Sequence, residues 1–163
     1  MTNTAHTQKA WLPSPIGNIE ITGDSTHIYS IDFQQSLTEN IQNKHETLSR
    51  VMLTAIAQLQ EYFEGKRKTF TFPMSIEGTM FQKSVWQALT EVPYSNTRSY
   101  LDIAKRVGNE KSVRAVAQAN HSNRFVIVIP CHRIIGSDGS LTGYGGGLWR
   151  KEWLLKHERQ HAT

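Results

Sequence analysis

The residues best suited to chemistry are consecutive: Pro130, Cys131, His132 and Arg133, placed at the end of the apolar run Phe125–Ile129 and followed by Ile134 and Ile135. Cys131 is the only cysteine of the chain. A thiol has a free pKa near ~8.5 and reacts well only as the thiolate, so reaction at neutral pH needs a base close by. An imidazole held by a carboxylate supplies one, as in a Cys–His–acid relay. His132 is the adjacent candidate. Neighbours on an extended segment point to opposite faces, so contact requires a bend after Pro130 or a bridging water. The competing assignment for Cys131 is a small buried hydrophobe, which is what most lone cysteines are.

Composition narrows the setting. A chain of 163 residues, 38% hydrophobic and 20% charged, has the balance of a soluble globular protein of one or two domains. No apolar run reaches membrane-spanning length, and Met1–Lys9 is polar without a signal-like apolar core. One cysteine excludes an internal disulfide framework and suits a reducing compartment, so a cytoplasmic location is expected, with no membrane partner. The net charge of +4 is uneven: residues 1–78 carry 6 Lys/Arg against 8 Asp/Glu, and residues 79–163 carry 12 against 6. Only the basic second half is suited to a polyanion, although a solvated basic surface has the same composition.

The elements that must position Cys131 follow from periodicity. Residues 9–33 predict a meander of short strands, with turns at Pro13–Pro15 and Gly23–Ser25, and Ser36–Lys44 predicts a polar loop. Apolar residues from Leu48 to Phe63 fall at helical spacing, with Gly65 at a C-terminal cap, and Phe70–Phe72 predicts a further strand. Glu20, Asp32 and Glu61 have no spacing that builds a metal site, so this half, residues 1–75, reads as an α/β scaffold. In residues 76–163, Thr79 and Gln82 form a capping box for a helix that buries Phe81, Val85, Trp86 and Leu89. Ser99 and Asp102 start a second helix that Gly108 ends. A third runs from Lys111 to about Ala119, with Val113, Val116 and Ala117 inward. Two short helices around a tight glycine turn are the helix-turn-helix pattern, and ordinary helical corners share it. Lys111, Arg114 and Gln118 lie on the outer face as DNA contacts or as surface charge and polarity. A buried strand then leads to Cys131, Ser137–Ser140 forms a wing-like turn, and Tyr144 sits in the glycine-rich loop Thr142–Gly147. The last helix spans Leu148 to about Glu158, with Glu158 just past its apolar face.

Pro130-Cys131-His132-Arg133-Ile134 resembles the active-site signature of the O6-alkylguanine-DNA alkyltransferases, also called methylated-DNA–protein-cysteine methyltransferases. Phe81-Gln82, Val85-Trp86, Ser99-Tyr100, Arg114-Ala115-Val116, Asn123, Tyr144 with Gly146-Gly147-Leu148, and Lys151–Leu155 with Glu158 agree in order and spacing. The resemblance implies a ribonuclease-H-like N-terminal domain and a mainly α, winged helix-turn-helix C-terminal domain. It implies direct-reversal DNA repair: irreversible, stoichiometric transfer of the alkyl group of O6-alkylguanine to Cys131, with O4-alkylthymine a further candidate substrate and no cofactor or metal. His132 acts through a water as the base and Glu158 orients it. Tyr100 bonds guanine N3 and supplies a proton, and Arg114 fills the place of the flipped nucleotide. Asn123 resembles an asparagine that ties the motif-bearing loop to the active site. The carbonyls of Cys131 and Ile134 take the guanine amino group, the Gly145 amide faces O6, and Tyr144 walls the pocket. The resemblance further implies double-stranded DNA as the partner, bound through the minor groove by a monomer. Flipping is required because the reacting carbon lies inside the stack.

Departures from the family pattern are local. Gln118 replaces a small residue on the docking helix, and Arg124 stands where many members have proline and is a candidate phosphate contact. No second cysteine is present for the structural zinc that some relatives carry. Two other readings compete with repair. One is a binding protein that never reacts, either a lesion-binding protein, which Cys131 argues against, or a winged-helix regulator, for which neither sequence-specific major-groove side chains nor a dimer surface is evident. The other is a cysteine hydrolase, for which no oxyanion hole is evident.

Overall fold

In the computed structural model, residues 6–34 and 47–163 are described. The chain divides into two compact units, Met1–Ile76 and Glu77–Thr163.

The first unit is a small antiparallel sheet covered by a helix. Strands β1 (Gln8–Leu12), β2 (Ile19–Gly23) and β3 (Ile28–Phe33) form the meander in sequence order. Alternation places Ala10, Leu12, Ile19, Ile21, Ile31 and Phe33 in the core, and the register pairs Ile21 with both Ala10 and Ile31. Helix α1 (Arg50–Phe63) starts at Ser49, whose hydroxyl accepts the Met52 N–H, and it buries Met52, Ala55, Leu59 and Tyr62 against the sheet. Each fully buried aliphatic side chain of this kind stabilises by about 1.5–3 kcal/mol. The β2–β3 turn is held by Asp24, which accepts from the N–H groups of Thr26 and His27 and from the Tyr29 hydroxyl. These bonds, Tyr29 foremost, hold its carboxyl well below the usual range.

Phe70–Phe72 is not a strand. The chain there meets β3 at an isolated parallel bridge between Ile28 and Met74, through Ile28 N–H to the Pro73 carbonyl (2.9 Å) and Ser75 N–H to the Ile28 carbonyl (2.8 Å). The expected loop at Ser36–Lys44 lies outside the described residues.

The second unit is mainly helical: α2 (Met80–Thr90), α3 (Tyr100–Arg106), α4 (Val113–His121) and α5 (Leu148–Gln160). Both expected capping boxes form, Thr79 with Gln82 on α2 and Ser99 with Asp102 on α3. Each box satisfies two N–H groups that a helix start leaves open. Gly108 separates α3 from α4 at φ 91°, where a side chain would be strained. A 3₁₀ turn, Glu110–Ser112, precedes α4 and rotates it from the expected phase. Val113, expected inward, is therefore 36% exposed, and the inner face is Ser112, Val116, Ala119 and Asn120. The Trp86 indole donates to the Ala119 carbonyl at 2.8 Å and locks α2 to α4.

The expected strand before Cys131 is also absent. Phe125–Ile129 is a buried turn, with Ile129 N–H on the Phe125 carbonyl (2.9 Å) and Ile127 at φ 73°. A β-branched residue is rarely found there, and surrounding bonds must hold it. Asn123 does so: its Nδ2 donates to the Ile129 (2.8 Å) and Phe125 (3.4 Å) carbonyls, and its Oδ1 accepts the Phe125 N–H (2.9 Å). Cys131–Arg133 is a 3₁₀ turn, which supplies the bend after Pro130 that an extended segment lacks. Strand β5 (Ile134–Ile135) pairs in parallel with β4 (Arg98–Ser99), and a closed turn at Gly136–Ser140 follows. No helix among the described residues is long and apolar enough to cross a membrane.

Candidate active site

Cys131 is a thiol, 3% exposed, at the start of the 3₁₀ turn. The turn carries the two side chains that follow it into a buried ionic cluster. His132 Nε2 lies 2.6 Å from Glu158 Oε2. Arg133 donates from Nε (2.9 Å) and Nη2 (3.1 Å) to the same carboxylate, and its Nη1 reaches the Val92 carbonyl at 2.8 Å. Ser95 N–H adds a bond to Glu158 Oε1 at 3.1 Å, from a backbone at φ 69°. Four donors thus fill both oxygens of a carboxylate that has no exposure to solvent.

The electrostatics follow from this arrangement. Burial alone pushes the Glu158 carboxyl up, but His132 and Arg133 outweigh it and hold the group well below the ordinary range. Burial pushes the His132 imidazole down, against the pull of Glu158, so it is neutral near pH 7. A carboxylate only accepts, so the proton of the neutral ring sits on Nε2. Nδ1, buried without a protein partner among the described residues, is then the basic atom.

Glu158 lies within α5 on its buried face, not beyond it. Lys151, Leu154, Leu155 and Glu158 share that face at helical spacing, which brings a lysine into the interior. Lys151 Nζ donates to the Thr142 carbonyl at 2.8 Å and lies 5.8 Å from the centre of the Tyr100 ring. Burial pushes its ammonium down to about 8, and attraction to the Cys131 thiolate works the other way. That attraction is reciprocal, so Lys151 favours the thiolate. Tyr100, half-buried, donates its hydroxyl to the same Thr142 carbonyl at 3.0 Å, and burial raises its phenol. The glycine-rich loop is thereby fastened to α3 and α5, and Gly145 lies close beside the His121 ring at the end of α4.

Cys131, His132, Glu158, Tyr100, Asn123, Ile134, Tyr144 and Gly145 all belong to this second unit, and Ile134 and Tyr144 are buried beside the 3₁₀ turn and in the loop. Lys111, Arg114, Gln118 and Arg124 stand exposed on or beside α4, outside the buried cluster. The Cys131 carbonyl, expected to meet a ligand amino group, already accepts from Ile134 N–H and from Asn120 Nδ2 at 3.4 Å. Sequence reasoning assigned no role to Arg133, Lys151, Asn120 or Ser95. The first three had a readable signal, a polar residue inside an apolar run or on an apolar helix face. Ser95 had none. No group of His, Cys, Asp or Glu among the described residues is arranged to hold a metal.

A thiol carried between a buried His–Glu pair and a helix-turn-helix with basic residues on its outer face defines a nucleophilic-cysteine protein built on a DNA-binding scaffold. Residues 80–160 match the family model for the 6-O-methylguanine DNA methyltransferase DNA binding domain, and residues 8–76 match that for its ribonuclease-like domain. The chain belongs to this family. It is 44% identical over 146 residues to the methylated-DNA–protein-cysteine methyltransferase of Methanosarcina acetivorans, covering 89% of this chain and 94% of that protein. With the constitutive enzyme of that name from Bacillus subtilis it shares 44% over 151 residues, covering 90% and 92%. The crystal structure of Mycobacterium tuberculosis O6-methylguanine methyltransferase superposes with a TM-score of 0.84 at 37% identity, covering 97% and 96% of the two chains. A structure of the Mycobacterium tuberculosis protein in complex with DNA gives 0.83 at 37% identity, covering 94% of each chain.

Proposed function

We propose that this protein repairs duplex DNA by taking the alkyl group of O6-alkylguanine onto Cys131, once per molecule and irreversibly. The observation that carries the reading is the buried thiol directly followed in the chain by an imidazole whose Nε2 is held by a carboxylate that four donors saturate. The thiol proton passes through a water to His132 Nδ1, and Glu158 stabilises the imidazolium. The thiolate attacks the alkyl carbon, a C–S bond forms, and the O6–C bond breaks with its electron pair left on the guanine. Tyr100 then gives a proton to the guanine anion at N3, so the base leaves neutral. A thioether has no route back to thiol in this site, so each molecule acts once.

Recognition divides between the pocket and the docking helix. The Ile134 carbonyl meets the guanine amino group, the Gly145 amide faces O6, and Tyr144 walls the pocket. Arg114 fills the stack after the base leaves it. Lys111, Gln118 and Arg124 meet the backbone, and Asn123 holds the turn that precedes the thiol. Docking in the minor groove suits a protein that finds lesions in any sequence, because that groove carries little sequence information. The protein acts as a cytoplasmic monomer with no cofactor.

The test is intact mass after incubation with O6-methylguanine duplex or free O6-benzylguanine. One persistent alkyl adduct is expected, absent in Cys131→Ser. Binding without an adduct would identify a lesion-binding protein, and release of product with a regenerated thiol would identify a hydrolase.

A further inference from the structure

Asn120 reaches from the inner face of α4 to the nucleophile. It is 3% exposed, and its Nδ2 donates to the Cys131 carbonyl at 3.4 Å. The other end of the amide, Oδ1, is buried without a protein partner among the described residues. The same is true of Nδ1 on His132, the residue that follows Cys131. With Nε2–H committed to Glu158, that nitrogen presents a lone pair. Two buried acceptors are therefore tied to Cys131, one on the side chain that follows it and one on an amide bonded to its own carbonyl. Buried polar atoms are normally satisfied, and a buried water that does so typically makes about three hydrogen bonds. A water has two protons to donate and accepts in return, so two acceptors and one thiol donor complete it.

We propose that Asn120 is a positioning residue for thiolate formation, holding a water that accepts the Cys131 S–H and donates to Nδ1 of His132 and to Oδ1 of Asn120. On ionisation the thiol proton moves to the water as the water's own proton moves to Nδ1. The S–H electron pair stays on sulfur, and the bond to Asn120 is kept throughout. The helix that exposes Arg114 and Gln118 outward thus also sets the relay inward, so docking and thiol activation share one rigid element. This role rests on the alkyl-transfer reading above.

The experiment compares wild type with Asn120→Leu and Asn120→Ser, using free O6-benzylguanine from pH 6.5 to 9.5 and intact mass to follow the Cys131 adduct. Asn120→Leu is expected to react about tenfold more slowly at pH 7, for one lost hydrogen bond in the relay. The deficit should shrink to about twofold at pH 9.5, where hydroxide ionises the thiol directly. Asn120→Ser, with room and a hydroxyl for a substitute water, should recover part of the rate. DNA affinity, measured with Cys131→Ser in each variant, should stay unchanged. A deficit equal at every pH in both variants, or no deficit at all, overturns the role of Asn120 while leaving alkyl transfer intact. If Asn120→Leu does not fold, the pH profile of Asn120→Ser decides alone. A wild type that forms no adduct overturns the alkyl-transfer reading, and this role with it.

Discussion

Replacing Lys151 by methionine should make the protein more stable and less reactive at the same pH. Lys151 has no solvent exposure, and burial lowers its ammonium from 10.5 to about 8. That fall corresponds to about 3 kcal/mol spent on keeping the charge inside at pH 7. Methionine removes this cost and also the bond to the Thr142 carbonyl (2.8 Å), worth about 1 kcal/mol net. Tyr100 still donates to that carbonyl. Lys151→Met should therefore gain about 2 kcal/mol at pH 7. The sign of the pH dependence is fixed by linkage. Between about 8 and 10.5 the unfolded chain holds the lysine proton and the folded chain has lost it, so wild-type stability rises with pH there. The advantage of Lys151→Met should accordingly shrink by roughly 2–3 kcal/mol from pH 7 to pH 10. Urea unfolding of both proteins at the two pH values measures it. Loss of the ammonium also removes its attraction to the Cys131 thiolate, so the rate of alkylation by O6-benzylguanine at pH 7 should fall about tenfold or more. A stability difference that does not change with pH, or an unchanged rate, would refute the reasoning.

Arg133→Met should cost about 3–5 kcal/mol, because the buried Glu158 carboxylate loses its fork-shaped partner. The Glu158 carboxyl is depressed in the fold, so its contribution is present at neutral pH and lost only as pH falls through the folded value. In Arg133→Met that acid loss should begin at higher pH, which acid titration of circular dichroism records. Ser95→Gly should raise stability by about 0.5–1 kcal/mol, since φ 69° strains a serine and not a glycine. Its N–H still donates to Glu158, so the thermal midpoint should rise by a few degrees with the alkylation rate unchanged. Asn123→Ala removes three bonds that hold the turn before Cys131 and should lower stability by about 3 kcal/mol, read as a reduced midpoint in urea.

Several elements were legible in the sequence because their signals are local. The meander follows from alternation at Ile19 and Ile21, and α2 and α3 follow from Thr79–Gln82 and Ser99–Asp102, where the cap and its partner are three residues apart. The errors fall where tertiary contacts override local preference. Phe125–Ile129 has the composition of a buried strand, but Asn123 bonds to Phe125 and Ile129 and closes it into a turn. Val113 has an apolar side chain on a helix, but the 3₁₀ turn at Glu110–Ser112 turns it outward.

Sequence by itself determined which residue types this protein can use: a single thiol with an adjacent imidazole, a basic second half, and an ordered set of motifs that points to one family. Tertiary structure decided how the thiol is activated. The bend that turns His132 and Arg133 onto Glu158 is a 3₁₀ turn held by contacts from Asn120, Val92 and α5, 11 to 41 residues away in the chain. The charge of Lys151 matters only because α5 folds it inward. A pKa depends on burial and on neighbouring charge, and neither exists until the chain has brought distant residues together.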